Sequence, residues 1–141
     1  MGNKNLPTGI WTFVACSALA AGFTFSLMAR DVAVGAPVDV HTTVGDVREV
    51  PAGGMLPGLH MEAKVKGKTV DVYIAPMDFV KKYEVKVSKG EEVHIVGTET
   101  VENGADVILG REITTGTVDR RTGIFHENMT YYLRNDEGPL W

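Results

Sequence analysis

Cysteine is nearly absent: the 141 residues contain only Cys16. One thiol excludes an internal disulfide framework, a cysteine cage for zinc and a CxxC redox pair. The four histidines, His41, His60, His94 and His126, show no HxxH or HExxH spacing that would mark a metal site. His60 and His94 fall on the outward phase of their strand patterns, which predicts solvated surface side chains. No phosphate loop is present, because Gly53-Gly54 is not followed by Lys and Ser/Thr, and no serine sits in an elbow motif. Basic charge is also short. Lys and Arg number 14 against 18 Asp and Glu, and residues 31–141 hold 12 basic and 18 acidic side chains, since Lys4 and Arg30 precede them. That balance excludes a phosphate-backbone binder, and outward aromatics such as Tyr73 are too sparse for a base-stacking face. The reading is of a protein without catalytic chemistry and without a cofactor.

The longest absence is of charge itself, from Asn5 to Ala29. As a helix, the apolar stretch Ile10–Met28 would span about 28 Å, close to the hydrocarbon thickness of a bilayer. Three readings apply to it. A cleavable signal could use Ala18-Leu19-Ala20 as its small-residue site, but the apolar run continues through Phe23, Phe25, Leu27 and Met28. A lipoprotein would use Phe13-Val14-Ala15-Cys16, but Cys16 lies mid-run. The favoured reading is a single-pass transmembrane anchor over residues 1–30, on the bacterial inner membrane. Lys4 and the free amine orient its N-terminus to the cytoplasm and place the C-terminal domain in the periplasm. Ala18 and Gly22 are small residues four apart, which would let another membrane helix approach closely.

Residues 31–37 (DVAVGAP) form a linker, and alternation of period two begins after it. Val38, Val40, Thr42 and Val44 alternate, Gly45 interrupts as a bulge would, and Pro51–Gly58 is a loop. Leu59, Met61, Ala63 and Val65 alternate with polar residues, Gly67-Lys68 turns the chain, and Val70, Val72 and Ile74 complete a hairpin. Met77–Glu84 reads as a short helix. Val93, Ile95 and Gly97 open another strand, and after Glu102-Asn103-Gly104 the run Ala105–Ile113 is a further one. Thr114–Gly123 is rich in turn formers, and Ile124–Leu133 supplies one more strand. The expected fold is mainly β: a five-stranded OB-fold-like barrel over residues 38–141, with one short helix between the third and fourth strands and an added hairpin near 114–129.

The pattern from Gly45 onward resembles a poorly characterised family of small exported bacterial OB-fold proteins. The matching residues are Val44-Gly45-Asp46-Val47, Gly58-Leu59-His60, Val72-Tyr73-Ile74-Ala75-Pro76, Ser88-Lys89-Gly90-Glu91-Glu92-Val93, Gly110-Arg111-Glu112-Ile113 and the closing run Leu133-Arg134-Asn135-Asp136-Glu137-Gly138-Pro139-Leu140-Trp141. This resemblance implies a fold and an exported location rather than an activity. The chain departs from it by carrying about a dozen extra residues, Thr117–Met129, before the closing run.

An anchor followed by such a barrel is also the architecture of the periplasmic haem chaperone of cytochrome c maturation, which uses an HxxxY motif. Here His126 and Tyr131 are separated by four residues instead of three. Haem carriage, or binding of another small ligand by the barrel, is therefore the alternative. The principal expectation is an accessory subunit that stabilises a larger membrane complex of respiratory or photosynthetic electron-transfer type. It would touch the bilayer and neighbouring subunits through Ala18 and Gly22, through the hairpin residues Arg120, Arg121 and Phe125, and through Trp141.

Overall fold

The computed structural model describes residues 35–141. The segment read as a membrane anchor, with Ala18 and Gly22, lies outside the described residues. Among those residues no helix is long and apolar enough to cross a membrane.

The strands are β1 (Pro37–Val50), β2 (Gly58–Val65), β3 (Lys68–Ala75), β4 (Glu92–Glu102), β5 (Ala105–Val118) and β6 (Phe125–Tyr132), with the helix α1 (Met77–Lys82) between β3 and β4. A small ribbon, β7 (Arg134–Asn135) and β8 (Gly138–Pro139), closes the chain. The sheet order is β3-β2-β1-β4-β5-β6, and β3 also pairs in parallel with β5. That last pairing closes five strands into a barrel and leaves β6 outside it, held by β5 alone.

Alternation fills the barrel. Val44, Met61, Ala63, Val72, Ile74, Val93, Ile95, Ile108 and Ile113 are buried in one cluster, and Phe79 and Val80 of α1 belong to it. β1 is 14 residues long and changes partner midway. Pro37–Thr43 pair with β4, and Val44–Val50 pair with β2 across a register shift between Val44 and Val47. The interruption expected at Gly45 is this bulge, which bends the strand around the barrel. Gly58 has φ of 143°, and a Cβ there would collide with the Ala75 carbonyl. The position where the loop re-enters the sheet thus needs a residue without a side chain.

Two expected boundaries move. The helix stops at Lys82 instead of Glu84, because Tyr83 leaves helical geometry and Glu84 takes φ of 49°. The turn expected from Thr114 begins only after Val118. Thr114–Val118 remain in strand because β6 pairs with every one of them. Thr114 Oγ1 and Thr130 Oγ1 share a hydrogen bond of 2.9 Å across that ladder, and both Thr114 and Thr115 are buried. Threonine is at home on such a paired surface, and the ladder overrides its weaker role as a turn former.

The turn itself, residues 119–124, is organised by Asp119. Its carboxylate accepts the backbone N–H of Arg121 at 2.7 Å and of Thr122 at 3.3 Å. Those two donors hold its pKa below the ordinary 3.8. A carboxyl lowered in the folded state stabilises above its unfolded value, and that contribution is lost as pH falls through the lowered one. Asp119→Ala is therefore expected to reduce the urea midpoint at neutral pH. The difference from the parent should shrink to nothing in strong acid, and an equal difference at all pH values would contradict this role.

Candidate interaction site

A cleft of about 530 Å³ opens between β6, the end of α1 and the C-terminal tail. Phe79, Tyr83, Glu84 and Val85 form one wall, Leu140 closes it, and Met129, Thr130, Tyr131 and Tyr132 form the other. Strand side chains alternate between faces, so four consecutive strand residues line one cleft only where the backbone edge of the strand faces it. β6 pairs with β5 alone, so the edge presented there is its unpaired one. The rim is apolar and open to solvent: Tyr132 is 63% exposed and Tyr83 52%, and Met129 and Leu140 are exposed as well.

The tail is held against the barrel by an aromatic stack. Trp141 meets Phe79 at 5.5 Å and Tyr73 at 6.1 Å between ring centroids, edge-on to both. The Arg134 guanidinium lies 4.6 Å from the Trp141 ring and 5.3 Å from the Tyr73 ring, and it donates to the Gly110 carbonyl. Burial lowers the pKa of Arg134 below its ordinary value, with Tyr73 acting in the opposite sense. Burial pushes the Tyr73 hydroxyl up, partly offset by Arg134. Trp141 is thus a folded clasp with one face left open, and it places Leu140 at the mouth of the cleft.

The expected contact residues divide. Arg120 and Arg121 are exposed at the hairpin tip. Phe125 turns inward instead: its ring covers Gly116 and meets His41 edge-on at 4.9 Å. His41 in turn stacks on His94 at 4.2 Å, and His94 Nε2 reaches Asp39 at 2.6 Å. His126 and Tyr131 are not brought together. They face Thr117 and Ile113 of β5, four ladder positions or roughly 13 Å apart. Among the described residues no three His, Cys, Asp or Glu side chains are placed to hold a metal ion.

His60 corrects its expectation. It occupies the outward phase, yet it is 1% exposed. Nδ1 lies 2.7 Å from Asp71 Oδ2, and Nε2 lies 2.6 Å from the Leu56 carbonyl. Arg48 Nη2 stands 3.0 Å from Asp71 Oδ1, at pairing distance but off the hydrogen-bonding direction. Tyr73, also read as outward, is buried and donates to the Pro57 carbonyl at 3.2 Å. Both are covered because the loop between β1 and β2 folds back over this face, and His60 and Tyr73 are what fasten it.

Residues 37–119 match the model of the MamS/MamX magnetosome protein family. The chain belongs to that family. No curated protein matches it. The MamS/MamX span covers β1 to β5 and ends at Asp119, where the hairpin turns. The barrel is therefore what the MamS/MamX model describes, while β6, the cleft it borders and the closing run lie beyond the matched span. The cleft was not predicted from the sequence. Its signal was the unbroken Met129-Thr130-Tyr131-Tyr132 run, which lacks the polar alternation of a strand with one solvated face.

Proposed function

We propose that this protein is a non-catalytic accessory subunit, held to the membrane by an anchor over residues 1–30 and carrying an OB-fold-like barrel on the far side, that stabilises a larger assembly of the magnetosome membrane. The observation that carries this reading is the apolar cleft beside β6. A cleft walled by exposed tyrosines, a methionine and a leucine, with an unpaired strand edge along one side, suits a protein partner. Membership in a magnetosome protein family favours that membrane over a respiratory or photosynthetic one as the place of the assembly.

The test is a mild-detergent pull-down of the full chain from native membranes, comparing the parent with Tyr132→Asp/Leu140→Asp. Leu140 is exposed and its substitution should change the folded state by no more than about 0.5 kcal/mol, whereas Asp at 132 stands opposite Glu112 and should cost about 1 kcal/mol. The variant should retain at least about tenfold less of the co-purifying subunits, as loss of an interface anchor implies. Unchanged partners in unchanged amounts would overturn the reading.

A further inference from the structure

We propose that Asn103 is a site of spontaneous covalent modification, and that its conversion to aspartate or isoaspartate loosens the loop between β1 and β2. Asn103 and Gly104 form the turn that joins β4 to β5, between the paired Glu102 and Ala105. Both take positive φ, 50° and 82°, the geometry in which Asn-Gly suits a two-residue hairpin. The four other asparagines of the chain precede Lys4, Leu6, Met129 and Asp136, so Asn103 alone precedes a glycine.

The reaction needs a backbone nitrogen free to attack the side-chain amide of the residue before it. Gly104 offers one. Both turn residues are exposed, no backbone hydrogen bond among the described residues uses the Gly104 N–H, and nothing lies within 4 Å of where its Cβ would stand. The attack also needs Asn103 to leave its turn conformation, which the end of this hairpin permits. β1 joins β4 only as far as Pro37↔Thr98, and β3 joins β5 only from Asp71↔Val107. Val101↔Asp106 and Glu102↔Ala105 are thus held by each other alone, and a ladder end of this kind frays. The Gly104 nitrogen forms a bond to Asn103 Cγ and gives its proton to water, the side-chain nitrogen leaves as ammonia, and a cyclic succinimide remains. Water then opens the ring at one carbonyl to give aspartate, or at the other to give isoaspartate. No oxidant or reductant enters.

The turn is tied to the 51–57 loop, because Asn103 Nδ2 donates to Met55 Sδ at 3.3 Å. Either product replaces that donor by a carboxylate, which can only accept. The new charge joins Glu102 and Asp106 at the same hairpin end, and isoaspartate lengthens the backbone of a turn built for two residues. The loop then keeps only its ties to His60 and Tyr73.

The experiment is a time course of the full chain in mild detergent at slightly alkaline pH, read by peptide mass spectrometry that separates aspartate from isoaspartate. Asn103 should be lost about tenfold or more faster than Asn128, because a glycine neighbour leaves the attacking nitrogen unshielded and the backbone free to turn. Hydrogen exchange at residues 53–56 should quicken about twofold to tenfold in the aged chain and in Asn103→Asp, the range for one lost hydrogen bond. Asn103→Gln, whose longer side chain must close a larger ring, should stay intact. Loss at Asn103 no faster than at Asn128 overturns the proposal. So does loop exchange that is the same in fresh, aged and Asn103→Asp protein.

Discussion

Asp71→Ala should lower the unfolding free energy by about 3 kcal/mol, the cost of leaving a buried hydrogen-bonding group without its partner. The His60 ring has an acceptor at each nitrogen, the Asp71 carboxylate at 2.7 Å and the Leu56 carbonyl at 2.6 Å. The ring is fixed between these two oxygens, and its orientation depends on Asp71. Without the carboxylate, a donating nitrogen that is 1% exposed has no partner and no route to water. Arg48 loses its ion pair at the same time. For a domain of this size the melting temperature should fall by roughly 12–24 °C. The 51–57 loop should become the first segment to exchange its amides, because Leu56, which takes φ of 50°, is no longer pinned by His60. Asp71→Asn keeps an acceptor for the ring and should recover part of the loss. An alanine variant that melts within a degree or two of the parent would show that this network does not hold the loop.

Gly116→Val should cost about 2 kcal/mol through overpacking. The Phe125 ring lies directly over Gly116, and even a Cβ at that position would collide with the ring and with the His126 carbonyl. The ring has nowhere to retreat, since its other side meets His41, which is stacked on His94. The substitution therefore pushes the tip of the β5–β6 hairpin off the barrel. A Phe125→Ala background should relieve the clash with the ring and leave the one with the His126 carbonyl, so the two substitutions together should cost less than their sum, as expected for residues in contact. Strict additivity in thermal unfolding would show that Phe125 does not rest on Gly116. Destabilising the hairpin this way should also weaken whatever docks on β6, although neither residue lines the cleft.

The strands were legible because alternation reports the face on which a residue sits. Val70, Val72 and Ile74 were read inward and are buried there, and the interruption at Gly45 is a bulge. Alternation does not report whether the opposite face is covered. His60 and Tyr73 were assigned the correct face and the wrong environment, because the loop just before β2 folds back over both and the C-terminal Trp141 packs against Tyr73. The same limit explains Thr114–Val118. Local preference favoured a turn, while pairing with a strand that begins only at Phe125 kept the segment extended. Of the expected contact residues, the arginines at the tip were legible as exposed charge. The cleft was not, because it arises where the ends of three separate segments meet.

The course of β1 has a mechanical consequence. Its first seven residues are laddered to β4 and its last seven lie along β2, so one strand stitches both neighbours. A pull applied through residue 35 runs along the strand axis and loads the whole Pro37–Thr43 ladder at once, in shear, instead of opening it one pair at a time. Tension on a tether at this end would thus meet the stiffest direction of the barrel, whereas the same tension on the C-terminal tail would peel Trp141 from Phe79 and Tyr73 ring by ring.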